Sequence, residues 1–253
     1  MDIRVTGLWR YPVKGLGGEP LGAIEPSPSG GIAGDRRFAL AHDTSAFDPA
    51  APVWKPKAEF LQLARDPGMA PLSTRWDAAA DTLTLVRDYG RGERVTARPE
   101  TDDGRASLEE FIASAAAPQR RAGGRLVRAE GTILSDTGRP FVSIISAATV
   151  RAISQAAGLA LDPRRFRGNI VIDGAEAWAE FDWLGQGLRV GSALLRPAER
   201  IGRCAATNVD PDTGVLDIDL PRFLRDRFGH HQCGVYAEVV EAGRIALGDS
   251  VRY

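Results

Sequence analysis

The stretch FVSIISAATVRAISQAAG at positions 141–158 places a strand directly before a helix, with no loop between them. The residues at 141–146 form an apolar run that predicts a strand. Ser146 is a suitable N-cap, because its hydroxyl can accept a hydrogen bond from an amide of the first helical turn. Gly158 is a suitable terminating residue, since glycine tolerates the left-handed backbone found there. The sequence therefore predicts a strand–helix unit with both helix ends specified.

Short strands are predicted on both sides of this unit. Apolar residues at positions 3, 5, 9 and 11 fall at even spacing, and TLTLVRD at 82–88 alternates in the same way, so both segments are expected to be half-buried strands. Downstream, further strands are predicted at NIVID (169–173), GLRVG (187–191), ALLRPAERI (193–201), VYAEVVE (235–241) and IALGDSVRY (245–253). The turn-rich segments between the early strands argue against repeated strand–helix–strand units.

Two more helices are predicted. SLEEFIASAAA at 107–117 begins with a capping box formed by Ser107 and Glu110. LPRFLRDRFG at 220–229 is amphipathic and ends at Gly229. Many short strands with a few helices indicate a β-rich α+β fold that is barrel-like. RAGGR at 121–125 predicts a linker, which divides the chain into domains 1–125 and 126–253.

Composition excludes several classes of protein. The chain has 253 residues, is 43% hydrophobic and carries a net charge of −1, which is typical of a globular protein and does not indicate a nucleic-acid partner. No apolar run approaches the roughly 18 residues of a membrane span. Asp2 and Arg4 stand where a signal peptide would be apolar, so a cytoplasmic protein without a membrane partner is expected.

Common cofactor and hydrolase motifs are absent from the sequence. GLGGEP at 15–20 fails as a dinucleotide-binding motif because Pro20 replaces the last glycine. There is no phosphate-binding P-loop, no HExxH zinc motif and no GxSxG nucleophile motif. The two cysteines, Cys204 and Cys233, are too few for an iron–sulfur cluster or a four-cysteine zinc site.

Cys204 is the most conspicuous candidate for chemistry. It follows Arg203 in the segment ERIGRCAATNVDPDTG (199–214), and a nearby positive charge favours the thiolate that attacks carbon or binds a soft metal. A buried inert cysteine is an equally good interpretation of the composition alone. HHQC at 230–233 is better interpreted as a polar loop between a helix and a strand, since its spacing matches no familiar zinc pattern. The alternatives are a zinc site joining its histidines and Cys233 to Cys204, and a Cys204–His230 nucleophile pair.

Clusters of cations form a second group of candidates. RRFRGN at 164–169 and GDRRF at 34–38 concentrate arginines, and Lys14 stands alone in YPVKG. Because arginine binds phosphate through two parallel hydrogen bonds, these residues could form an anion clamp. Taken by themselves, the segments are better interpreted as solvated turns.

Taken in order, these segments resemble a known family. YPVKG (11–15), GDRRF (34–38), RFRGN (165–169), AWAEFDW (177–183) and RCAATNVDPDTG (203–214) are similar to motifs of the molybdenum cofactor sulfurase C-terminal (MOSC) domain proteins. The similar branch carries an N-terminal β-barrel domain and includes the mitochondrial amidoxime-reducing component and bacterial reductases of N-hydroxylated bases. The resemblance implies a MOSC-type β-barrel with a β-barrel-like N-terminal domain.

The resemblance also implies a cofactor and a set of site residues. The cofactor is molybdenum held by a molybdopterin with a terminal phosphate. Cys204 is implied as the metal ligand and catalytic residue, which suits a soft metal. The implied pterin and phosphate contacts are Lys14, Arg36, Ser146, Arg167 and Asn169. Gly15 and Gly202 stand where relatives often have serine, which removes individual hydrogen bonds from this pattern.

Three functions are compatible with the sequence. The resemblance implies a reductase of small N-hydroxylated or N-oxide compounds. Since the chain has neither a dinucleotide loop nor cluster cysteines, its electrons are expected from a separate reductase or ferredoxin-type partner. The alternative is a carrier or insertion protein that binds the molybdenum cofactor without turnover. A metal-free thiol enzyme built on Cys204 is a third hypothesis.

Overall fold

The computed structural model describes residues 2–88, 91–116 and 124–253. Its N-terminal elements are β1 (Ile3–Arg10), β2 (Glu19–Pro20), β3 (Ala23–Ile24), β4 (Phe38–His42), β5 (Ser73–Asp77), β6 (Thr82–Val86), β7 (Arg94–Ala97), α1 (Asp102–Ala116) and β8 (Gly124–Arg128). Its C-terminal elements are β9 (Val142–Ser146), α2 (Ala147–Ala157), β10 (Ile170–Asp173), β11 (Leu188–Val190), β12 (Ala193–Gly202), α3 (Leu220–Phe228), β13 (Gln232–Glu241), β14 (Ile245–Ala246) and β15 (Ser250–Arg252).

Seven strands of the described residues close into a barrel. Its strands follow the order β10, β9, β13, β12, β11, β15 and β1, and β1 pairs with β10 to complete the circle. The pairs are antiparallel except for β9 and β10, which run parallel and are connected through α2. The prediction of a β-rich α+β fold with a barrel is confirmed.

Strand β9 is buried on both faces because the barrel lies on one side and helices lie on the other. Ile144 belongs to the barrel core with Ile172 and Val235. Ile145 belongs instead to a second core with residues of α2 and α3, including Leu224. A strand covered on both faces has no polar alternation, which is why the 141–146 segment is a continuous apolar run.

The helix ends of the second half are where the sequence predicts them. The Ser146 hydroxyl accepts a hydrogen bond from the Thr149 amide over 3.4 Å at the start of α2, and Gly158 ends the helix with φ 63°. Helix α3 ends at Gly229 with φ 76°. Both glycines have the positive φ that side chains disfavour, so they terminate their helices for a steric reason.

The first half contains separate small sheets around its own core. Strands β4 and β8 pair, β5, β6 and β7 form a three-stranded sheet, and α1 packs against them through Leu108 and Ile112. The predicted start of α1 at Ser107 is wrong. The helix begins at Asp102, where the Thr101 hydroxyl accepts from the Gly104 amide over 3.1 Å, and Ser107 lies inside it.

The linker prediction at 121–125 falls partly outside the described residues, as does the predicted helix end at position 117. Of the linker, Gly124 and Arg125 begin β8, which pairs with β4. Strand β1 of the first half pairs with β10 and β15 of the second. The division into domains 1–125 and 126–253 stays a prediction. Strand β1 lies in the first of these segments but completes the barrel formed by strands of the second. None of the described helices has the length and apolar character required to cross a membrane.

Candidate functional site

A cleft is lined by residues from both halves of the chain. The first half contributes Lys14, Arg36 and Lys57, and the second contributes Arg203 and Tyr236. Of the six residues implied by the family resemblance, the structure brings five together along this cleft: Lys14, Arg36, Arg167, Asn169 and Cys204. The cleft therefore combines a thiol with several cations.

Arg36 and Arg167 are joined to each other within the cleft. The Arg36 Nη2 donates to the carbonyl oxygen of Arg167 over 3.0 Å, and Arg36 also pairs with Asp35. Burial has the largest single effect and acts to lower the pKa of Arg36. The charge and hydrogen bond of Asp35, together with the effects of Tyr236 and Tyr11, outweigh burial, so the pKa is raised and the guanidinium stays charged. Both arginines have positive φ, 48° and 53°. Such backbone strain in a non-glycine residue is often found at ligand sites.

Lys14 lies close to these arginines and is largely buried. Its ammonium donates to the Leu134 carbonyl over 3.0 Å and to the Asp136 carboxylate. Burial lowers the pKa of Lys14, and the charges of Arg36 and Arg167 lower it further, against the opposing effect of Asp136. Lysines and arginines outnumber aspartates among the residues that line the cleft, and this local positive charge favours an anionic ligand.

Cys204 follows strand β12 and begins a short 3₁₀ turn at Ala205–Asn208. The Thr207 amide and hydroxyl donate to the Cys204 carbonyl over 3.0 and 2.8 Å. Arg165 supports the same loop from beneath, with two hydrogen bonds of 2.8 Å to Asp217 and one of 3.1 Å to the Asn208 carbonyl. The thiol is partly exposed on a loop that is anchored at several points.

The neighbouring Arg203 is held by backbone oxygens. Its Nε donates to the Cys233 carbonyl over 2.8 Å, and its Nη1 donates to the Phe166 carbonyl over the same distance. Burial lowers the pKa of this guanidinium. Because carbonyls rather than carboxylates bind it in these contacts, Arg203 adds positive charge beside Cys204.

Cys233 is less accessible than Cys204. It is fully buried, and burial raises the pKa of its thiol to about 12.

His230 packs against the rings of Trp178 and Phe181, and its Nδ1 accepts from the Gln232 amide over 3.2 Å. Among the described residues no group of three or more His, Cys, Asp or Glu could hold a metal ion, so the zinc alternative gains no support.

Ser146 is the implied site residue that the structure does not bring to the cleft. It is fully buried, and its hydroxyl caps α2 instead.

Asn169 lines the cleft but is 1% exposed. Its side-chain oxygen accepts from the Ser143 amide and hydroxyl over 3.1 and 2.8 Å, and its amide donates to the Trp9 carbonyl over 3.2 Å. Asn169 thereby connects three barrel strands behind the cationic residues.

Sequence reasoning missed several residues of the cleft. Asp136 pairs with Lys14, and Phe141 stacks on Tyr236 with ring centroids 5.6 Å apart. Tyr236 lies in a predicted strand, where alternation alone gives no sign of a site. Asp136 lies in a turn-like SDTG segment and is recognisable only once Lys14 is seen beside it.

Two family descriptions match the chain. The MOSC N-terminal beta barrel domain matches residues 2–121, and the MOSC domain matches residues 134–252. The chain therefore belongs to the MOSC domain proteins that carry the N-terminal MOSC beta barrel domain.

Similar proteins include the human mitochondrial amidoxime-reducing component 1, which is 25% identical over 98% of this chain and 82% of that relative. Human mitochondrial amidoxime reducing component 2 is 33% identical, but over only 34% of this chain and 29% of its own length. Among solved structures, the YUAD protein from Bacillus subtilis is 13% identical with a TM-score of 0.46, covering 99% of this chain and 94% of that one.

Proposed function

We propose that this chain is a molybdenum-cofactor-dependent reductase of small N-hydroxylated or N-oxide compounds. The observation that carries the proposal is the joining of a partly exposed thiol, Cys204, with the cations Lys14, Arg36, Arg167 and Arg203 in one cleft. Thiolates suit soft metals, and arginines suit phosphate. The donor set therefore fits a molybdenum–pterin group with a terminal phosphate.

Each part of the cleft has a separate task in this proposal. Cys204 would ligate the metal, and the Arg165–Asp217 pair keeps its loop in place. Lys14, Arg36 and Arg167 would bind the phosphate end. When bound, the molybdenum centre would supply the two-electron chemistry that reduces the N–O bond. The protein residues position that group and hold positive charge around its anionic end, which is the usual contribution of a protein to cofactor chemistry.

The substrate class is supported by the relatives, whose names describe amidoxime-reducing components. We propose that electrons come from a separate reductase or ferredoxin-type protein, because two cysteines cannot hold a cluster and the sequence has no dinucleotide motif. We also propose a cytoplasmic location, which a fluorescent fusion followed by fractionation would test.

The experiment is purification of the full chain from a host that makes the molybdenum cofactor. Molybdenum is measured by mass spectrometry, and turnover is followed as oxidation of reduced viologen by an N-hydroxylated purine. We expect near-stoichiometric molybdenum and substrate-dependent oxidation. Bound molybdenum without turnover of several N-hydroxylated substrates would favour the cofactor carrier. Absence of molybdenum would contradict the proposal.

A further inference from the structure

Tyr11 is a buried aromatic residue between strand β1 and the cleft that no part of the proposed function uses. Its side chain is 1% exposed. The guanidinium carbon of Arg167 lies 4.5 Å from the centre of its ring, and that of Arg36 lies 5.0 Å away. One ring therefore contacts both arginines of the proposed phosphate clamp.

The position of this ring is built into the surrounding backbone. The Tyr11 amide donates to Asp35 Oδ1 over 2.7 Å, and the Arg36 amide donates to the Tyr11 carbonyl over 2.7 Å. A Cβ at Gly18 would come within 2.8 Å of the ring carbons, so glycine is needed there to leave room for the ring. Asp35, Arg36 and Gly18 of the first half thus fix where the aromatic ring lies.

An aromatic ring has a property that a carboxylate lacks. Its negative face attracts a guanidinium, especially in a desolvated place, but it carries no formal charge. Asp35 stabilises Arg36 by pairing with it and thereby neutralises part of its charge. The ring lowers the cost of holding two like charges close together without competing with an incoming phosphate.

We propose that Tyr11 is a positioning residue, whose ring holds the guanidinium groups of Arg36 and Arg167 together so that they bind the phosphate of an anionic ligand. This inference rests on the proposed function, since it concerns the same clamp.

The test uses the full chain made in a host that cannot synthesise the molybdenum cofactor, so that the cleft is free. Inorganic phosphate is the probe, and its affinity is measured by calorimetry at one fixed ionic strength. Tyr11→Leu removes the ring, and Tyr11→Phe keeps it as the matched control. We expect phosphate binding to weaken roughly tenfold in Tyr11→Leu and to stay within about threefold of the parent in Tyr11→Phe.

A third variant separates electrostatics from packing. Phenylalanine with three ring fluorines at position 11 keeps the shape of the ring but weakens its negative face. We expect it to bind phosphate several-fold more weakly than Tyr11→Phe, with the same melting temperature. A ring that acts only by filling space would give equal affinities for these two variants. The fluorinated variant also decides the question if Tyr11→Leu fails to fold.

Two failures are distinguishable because the molybdenum content of the parent is measured separately. If the parent carries molybdenum but the parent and all variants bind phosphate with equal affinity, or none of them binds it, the role of Tyr11 is overturned. The proposed function is unaffected by that result. A parent that binds neither phosphate nor the molybdenum cofactor overturns both.

Discussion

Arg36 donates a hydrogen bond to the backbone carbonyl of Arg167 over 3.0 Å, although the two residues are 131 positions apart in the sequence. Because the acceptor is a backbone oxygen, this contact does not need the Arg167 side chain. A substitution at position 167 can therefore remove the charge that Arg167 adds to the cleft while it keeps the hydrogen bond that links the two halves of the chain.

Arg167→Ala should weaken retention of the molybdenum cofactor more than it lowers stability. The variant loses a guanidinium that would bind phosphate, and it loses the 2.7 Å hydrogen bond to the Leu16 carbonyl, but it keeps the backbone contact with Arg36. We expect at least a tenfold fall in bound pterin, measured as fluorescence after oxidation, with a loss of about 1 kcal/mol in the free energy of unfolding.

Arg151→Ala is the matched control, since Arg151 is largely exposed and pairs with Asp173 on the surface. It should change both quantities little. Equal pterin occupancy in Arg167→Ala and the parent would contradict the phosphate clamp.

The two thiols should respond oppositely to substitution. Cys204→Ala should abolish reduction of N-hydroxylated substrates, because the molybdenum would lose its protein ligand. It should leave the fold intact, since Cys204 is partly exposed in a loop. Cys233→Ala should keep most activity but lower stability by about 1 kcal/mol, because Cys233 fills part of a core. Viologen oxidation and thermal melting are measured for both. Full activity in Cys204→Ala, or loss of activity only in Cys233→Ala, would show that the ligand assignment is wrong.

The second half of the chain could be predicted from sequence because its signals are local. Ser146 and Gly158 delimit α2 by capping and by a positive φ, and both act within a few residues. The start of α1 shows the limit of such signals. Thr101 and Ser107 are both followed by acidic residues, so the sequence pattern does not distinguish them as capping residues. In the structure Thr101 caps the helix.

The cleft was predictable only in part, because its geometry depends on contacts between distant segments. Lys14 meets Asp136 across 122 positions, and neither segment carries a local sign of the other. The resemblance supplied Lys14, Arg36, Arg167 and Cys204 as a set, whereas Ser146 satisfies a helix end away from the cleft. Tyr11 begins the YPVKG motif, but the motif alone does not show that its ring contacts Arg36 and Arg167.

The buried Cys233 thiol should make the protein less stable at alkaline pH. Its pKa is raised from about 9 to about 12 in the folded state, so between these values the folded chain binds more protons than the unfolded chain. The contribution of this thiol to the free energy of unfolding is therefore fully present below about pH 8.5. It falls as the pH rises, by up to about 1.4 kcal/mol per pH unit. Urea unfolding at pH 8 to 11 should show a steeper decline for the parent than for Cys233→Ala. Parallel declines would exclude this thiol as the cause.

Arg165 anchors the loop that carries Cys204. The Arg165 side chain is 1% exposed and makes paired hydrogen bonds to Asp217. Arg165→Ala leaves the Asp217 carboxylate without its main partner. The substitution also removes hydrogen bonds to the Thr207 and Asn208 carbonyls. We expect a loss of about 3 kcal/mol, at the low end for a broken buried pair because Asp217 is partly exposed. We also expect faster reaction of Cys204 with a thiol reagent, since its loop loses an anchor. The neighbouring Arg164→Ala breaks two more exposed pairs, with Asp162 and with Asp212. It should cost about 1 kcal/mol and leave the labelling rate unchanged. If the two variants have the same stability and the same labelling rate, Arg165 does not hold the loop.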